Sequence, residues 1–221
     1  MARKLFHDKH RLHDPVWHVQ VAMLIAITLQ IALPDIFSIG RYILPVIEFA
    51  LLLALPLTTP KAKTFQSSSA RRLNVFLLIG LVSVANAYSL GVIINKLLTD
   101  NSLSDGKSLI LAAINIFMTN IIIFALWYWE MDGGGPGHRQ SIEKYEQDFL
   151  FPQHKSEDYR HPDWKPTFVD YLYTSATNAM NFAPADGTPI TRRAKLLMLT
   201  QSSISLVTVG LVISRAIGIL N

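Results

Sequence analysis

The sequence contains no cysteine, which excludes disulfides, thiolate metal sites and thiol catalysis. Charge is also scarce: Asp, Glu, Lys and Arg make up 16% of the 221 residues. All but a few of these residues fall in five clusters, 1–14, 58–72, 96–107, 130–170 and 186–195. No repeat of 20–50 residues is visible. No Ser/His/Asp arrangement or zinc-protease helix is present, and no apolar pocket is in view to tune Glu146 and Asp148 as acid and base, so no enzyme is expected. Gly133-Gly134-Gly135-Pro136-Gly137 has no strand before it and no Lys-Ser/Thr after it. It therefore reads as a flexible break after a helix rather than a phosphate loop.

Between the charged clusters lie apolar runs long enough to cross a bilayer, for which about 20 residues are needed. A soluble chain would interleave polar residues every second to fourth position. The expected spans are 16–38, 42–58, 73–95, 108–129 and 195–219. The second is short and carries Pro45, Glu48 and Pro56, which predicts a kinked helix inside the bundle, where neighbours satisfy the freed carbonyls. Trp17 and Trp127-Tyr128-Trp129 stand at span ends, as interfacial anchors do.

The net charge of +4 does not mark a nucleic-acid binder, because the basic residues sit beside apolar spans rather than along one stripe. With the N-terminus inside, 16 of the 20 Lys and Arg face the cytoplasm, leaving Arg41, Lys96, Lys107 and Arg215 outside. The positive-inside rule therefore sets the N-terminus in the cytoplasm. The basic leader 1–14 precedes a run too long for a signal peptide and is read as preceding an uncleaved first span. Its His7, His10 and His13 recur every three residues, yet a solvated leader beside anionic lipid explains them better than a metal. No metal or cofactor is expected.

Residues 130–165 form a polar linker whose Phe149, Phe151, Tyr159 and Trp164 predict a stretch anchored along the membrane surface. From 166 to 221 the pattern changes. Pro166 suits a helix start, and the segment Thr167 to Ala179 is too brief to cross. The non-helical stretch Asn181-Phe182-Ala183-Pro184-Ala185-Asp186-Gly187 follows, then a basic triplet and a long apolar helix. A half-helix with irregular backbone at membrane depth is allowed only inside protein or against water, the description of a re-entrant pore loop.

Asp170-Tyr171-Leu172-Tyr173-Thr174-Ser175 through Asp186 resembles the pore helix and filter of two-transmembrane-type potassium channels. In that family an Asp-x-Leu-Tyr-Phe-Ser-like start leads over the same spacing to Thr-Val-Gly-Tyr-Gly-Asp. Thr188 to Thr191 and Arg193 resemble the linker into that family's inner helix. The filter positions here, Asn181 to Ala185, lack the alternate glycines that carbonyl rings require, so a potassium-selective filter is not implied. A wider resemblance is to a bacterial family of uncharacterised small integral membrane proteins. It rests on Phe124 to Tyr128, Asp148 to Pro152, and Asp170 to Tyr173 with Asp186, and implies a bacterial inner-membrane location.

The fold expected is an all-α integral membrane protein with about five transmembrane helices (four within 15–129) and a re-entrant half-helix before the last span. By resemblance it is a pore-loop, cation-conducting homo-oligomer, with a tetramer favoured. Thr177, Asn178, Asn181, Phe182, Ala183, Pro184 and Ala185 would build the constriction. Asp186 would form a ring attracting monovalent cations, and Gln201 and Thr208 would line the path beyond. Two alternatives stand beside it. One is a non-conducting scaffold or accessory subunit. The other is a small proton-coupled transporter using Glu48, opposite Arg215 in the outer part of the bundle, for which inverted repeats would be expected.

Overall fold

The computed structural model describes residues 17–33, 42–58, 69–99, 106–141, 146–155 and 164–220. The leader with its three histidines lies outside them, as does Arg41. Each apolar run forms a helix, because backbone groups away from water must be satisfied within their own segment. These are α1 (Trp17–Ile31), α2 (Ile43–Thr58), α3 (Ser69–Thr99) and α4 (Gly106–Met131). A 3₁₀ turn, Asp132–Gly134, leads to the short α5 (Pro136–Ser141), strand β1 (Phe149–Leu150) and one turn, α6 (Pro152–Lys155). The chain ends with α7 (Phe168–Asn181), strand β2 (Thr188–Pro189) and α8 (Arg192–Leu220).

Three helices are long and apolar enough to cross a membrane, over Ala70–Thr99, Ser108–Gly134 and Arg192–Ser214. Both α1, at 15 residues, and α2, at 16, are apolar but shorter. The expectation of a membrane-embedded, helical protein therefore holds.

The central element is α4, which packs against α1, α3, α7 and α8, while α2 covers α1 and α3. Its buried side chains, from Ile121 to Leu126 and on to Tyr128 and Trp129, face neighbours on every side. Buried Tyr128 and Trp129 thus fill the core rather than anchor an interface, whereas Trp17 is exposed. Asn115 Nδ2 donates to the Leu29 carbonyl at 2.7 Å, tying the end of α1 to the early part of α4. At the opposite end, Arg71 at the start of α3 meets Glu130 at 3.8 Å. That end of α4, where Arg139 and Arg193 also gather, is called the basic rim below.

Candidate functional site

The hairpin from α7 to β2 starts and finishes at the basic rim. Asp170 accepts the backbone N–H of Thr167 at 2.7 Å and its hydroxyl at 2.9 Å, capping the first turn of α7. The helix then runs for 14 residues, about 21 Å, along α4 and α8. Ser175 Oγ donates to the Ile121 carbonyl at 2.7 Å, and Asn178 Nδ2 donates to the Met198 carbonyl at 3.1 Å. Phe182 ends it in a left-handed conformation, with φ 55°, which costs a non-glycine residue about 1 kcal/mol or more.

From there the backbone climbs back over its own helix. The N–H of Ala185 donates to Thr177 Oγ1 at 3.2 Å and that of Gly187 to Thr174 Oγ1 at 3.3 Å. At the top, the Ile190 N–H donates to the Asp148 carbonyl at 2.9 Å, and β2 pairs antiparallel with β1. Gly187 is required here by close approach: a Cβ would lie 2.8 Å from Thr174 Oγ1 and 3.2 Å from Phe151 Cε1.

Two carboxylates hold the rim together. Buried Asp132 accepts the N–H groups of Asp148 at 2.6 Å and Phe149 at 3.3 Å, and the Tyr171 hydroxyl. Asp148 in turn accepts the Gly133 N–H at 3.3 Å, the Thr191 hydroxyl at 2.6 Å and a fork from Arg193, with both contacts at 2.6 Å. Arg139 is also buried and donates to the carbonyls of Trp129 at 2.7 Å and Asp132 at 2.5 Å. Gly133, Gly134 and Gly135 adopt φ of 58°, 81° and 97°, which is why this tight turn needs glycine. The expected flexible break is thus an ordered turn that presents Asp132.

Part of the linker expected along the membrane surface is likewise internal, although Glu146 and Pro152 are exposed. Phe149 and Phe151 are buried and pack edge-on against Tyr171, with ring centroids 6.1 and 5.5 Å away. Trp164 packs on Phe151 and His154, while Tyr159 lies outside the described residues. His154 is held below its ordinary pKa by burial, against the opposing pull of the Asp132 charge. These rings and carboxylates stitch α4, α7 and α8 into one rim. Both carboxylates, Asp132 and Asp148, are occupied by donors.

A second polar assembly lies deeper, centred on Gln201. Its Oε1 accepts the Tyr128 hydroxyl at 2.5 Å and Asn178 Nδ2 at 2.8 Å. Its Nε2 donates to the Ser175 carbonyl at 3.0 Å and hydroxyl at 2.6 Å. Asn120 extends the network to Ser205 at 3.0 Å. Side chains of α4, α7 and α8 thereby bind one another, with Asn120 Oδ1 left without a partner.

The residues singled out from sequence separate into three groups. Asn178, Gln201 and Thr208 face the interior of the chain, and Thr208 Oγ1 donates back to the Ile204 carbonyl at 2.7 Å. Asn181, Phe182, Ala183 and Ala185 are exposed at the tip and on the return strand, with Thr177, Pro184 and Asp186 partly covered. Glu48 is fully buried away from this hairpin, in the α1–α4 region, and the side chain of Arg215 lies outside the described residues. Sequence reasoning missed Asp132, Arg139 and Tyr171 as a set. The available signal was an aspartate followed directly by three glycines and a proline, a composition that builds a specified turn.

No family model, no curated protein and no solved structure matches this chain.

Proposed function

We propose that this protein is a five-span membrane protein of pore-loop type, in which the α7–β2 hairpin dips into the bilayer from the basic rim and several copies, four favoured, surround a cation path. The observation that carries this reading is the hairpin's geometry: a capped half-helix descends and the chain returns to the same rim through Gly187 and Ile190. The exposed backbone of Asn181 to Ala185 supplies carbonyls at the tip, and Asp186 supplies negative charge. The left-handed Phe182 and the Ala183-Pro184-Ala185 sequence argue against a potassium-type carbonyl ladder. A weakly selective monovalent-cation path is the chemistry this segment fits. The positive-inside rule sets the rim, with Arg71, Arg139, Lys165, Arg192 and Arg193, in the cytoplasm.

A second reading, a non-conducting scaffold, is favoured by one observation. Gln201, Asn178 and Thr208 spend their polar groups inside the chain, so the side chains expected to line the path do not face outward, and the hydroxyls of Thr200 and Ser203 are what α8 exposes in that stretch.

Because the chain has no cysteine, single-cysteine variants test both readings cleanly. Glu146→Cys is expected to react with an impermeant maleimide from the cytoplasmic side alone. Asn181→Cys is expected to react through an aqueous path, and Asp186→Asn is expected to lower cation flux in proteoliposomes severalfold. Flux that is unchanged in Asp186→Asn removes Asp186 from the path. An unreactive Asn181→Cys in protein that carries no flux selects the scaffold.

A further inference from the structure

A separate feature lies away from the hairpin. Glu48 of α2 is buried to 0% exposure in an otherwise apolar helix, and neither of its carboxylate oxygens has a hydrogen-bond partner. The side-chain amide of Gln30, near the end of α1, is its polar neighbour. Gln30 is itself buried, and its Oε1 is also without a partner.

The surrounding amides carry the same imbalance. Asn74 Nδ2 donates to the Leu51 carbonyl at 3.1 Å, less than a turn along α2 from Glu48, and leaves Oδ1 unpartnered. Asn115 Nδ2 donates to the Leu29 carbonyl, beside Gln30, and also leaves Oδ1 unpartnered. Turning either amide over would break an existing bond to a carbonyl, so these acceptors are fixed by geometry. The unmatched groups of this region are therefore oxygens, and one belongs to a carboxylate.

Buried charge without a partner is strongly unfavourable in a bilayer. None of the described Lys and Arg residues of the packed helices α1 and α3 balances it: Arg71, a turn before Asn74, is on Glu130, Arg72 lies over the Phe76 ring, and Lys96 lies near the other end of α3. His18, the one described histidine of α1, is at that helix's opposite end from Gln30. Among the described residues no positive charge balances Glu48, and a single cation with affinity for oxygen would do so.

We infer that Glu48 and Gln30 form a buried binding site for one monovalent cation, with a proton and Na⁺ competing for the same carboxylate. Hard oxygen ligands suit both. The Gln30 amide can present either end to the carboxylate: Nε2 faces it when it is bare, and with the amide turned over Oε1 can accept a proton's hydrogen bond from Glu48 or share Na⁺ with the carboxylate oxygens. The site does not depend on the hairpin or on what passes through it.

The test uses the full-length protein in detergent with an apolar carbodiimide, which attacks protonated carboxyl groups from the lipid-like phase, and mass spectrometry of the adduct. Adduct at Glu48 is expected to fall about tenfold per pH unit above the midpoint, and to fall at constant pH when Na⁺ replaces choline. Loss with pH but not with Na⁺ restricts the site to a proton. Gln30→Ala is expected to weaken protection by Na⁺ while leaving Glu48 reactive.

Thermal midpoints supply a readout that does not depend on reagent access. The wild-type midpoint is expected to shift with Na⁺ or pH by an amount that Glu48→Gln abolishes. Equal shifts in wild type and Glu48→Gln, or Glu48 labelling that follows neither pH nor Na⁺, would overturn the inference.

Discussion

Arg193 closes on Asp148 through Nε and Nη2, each 2.6 Å from a different carboxylate oxygen. The two sides of this pair are not equivalent: the Arg193 side chain is 56% exposed, whereas that of Asp148 is 1% exposed. Removing the arginine strands a buried carboxylate, while removing the carboxylate releases an arginine into solvent.

Arg193→Ala is therefore expected to destabilise the protein more than Asp148→Asn. The arginine variant should lose about 2–4 kcal/mol, near the range for breaking one side of a buried pair. In Asp148→Asn the amide keeps an acceptor for Thr191 or Gly133. Denaturation in mild detergent checks the order, and a larger loss in Asp148→Asn would mean that the hydrogen bonds outweigh the charge pair.

Gln201→Leu should be among the most damaging substitutions within the helices. It removes the acceptor of the Tyr128 and Asn178 donors and the donor to Ser175, at a cost of about 1–3 kcal/mol for each buried group left unmatched. Combining it with Tyr128→Phe should cost less than the two separate losses added together, because one stranded hydroxyl is removed. A double-mutant cycle on thermal midpoints reads this directly.

Gly187→Ala is expected to lose about 1–3 kcal/mol by overpacking, since its Cβ would fall 2.8 Å from Thr174 Oγ1 and 3.0 Å from Thr174 Cγ2. Thr174→Ala should partly rescue it by opening that space. Failure of rescue would point instead to Phe151, the third atom in contact.

The pH dependence at the rim has a definite sign. Burial holds the His154 pKa below the ordinary 6.5, so between the two values the unfolded chain binds the extra proton. The stability from neutral His154 is complete above about pH 6.5 and is lost as the pH falls toward the lower, folded value. His154→Gln should flatten that part of the stability profile. A wild-type profile with no decline in this window would show that His154 is not held neutral.

The broad architecture was legible because membrane helices are specified by uninterrupted apolar length, a property of local sequence. The ends of α4 and α8 fall within about three residues of expectation for that reason. The short helix before α8 was legible too, since Pro166 marks its start and its run is too brief to cross. The rim was not. Asp132, Asp148, Tyr171 and Arg193 are separated by 16 to 39 residues in their contacts, or by 45 for Arg193 and Asp148, and no local pattern encodes such a meeting. The inward direction of Gln201 was hidden for a related reason. On a helix with polar residues at 200, 201, 202, 203 and 205, the face that meets protein is decided by the neighbours, here Tyr128 and Asn178.

The ordering of fixed and free parts along the hairpin has a mechanical consequence. Asp132, Asp148 and Arg193 fasten α7 and α8 at the rim, while Asn181 and Phe182 project at the far tip. Between these ends the helix is pinned again, by Ser175 on Ile121 and by Asn178 on Met198 and Gln201. A strain applied at the rim is therefore taken up before it reaches the tip, and only the stretch after Asn178 is left to yield. Substitutions at the rim should lower stability yet leave the reactivity of an Asn181→Cys variant unchanged.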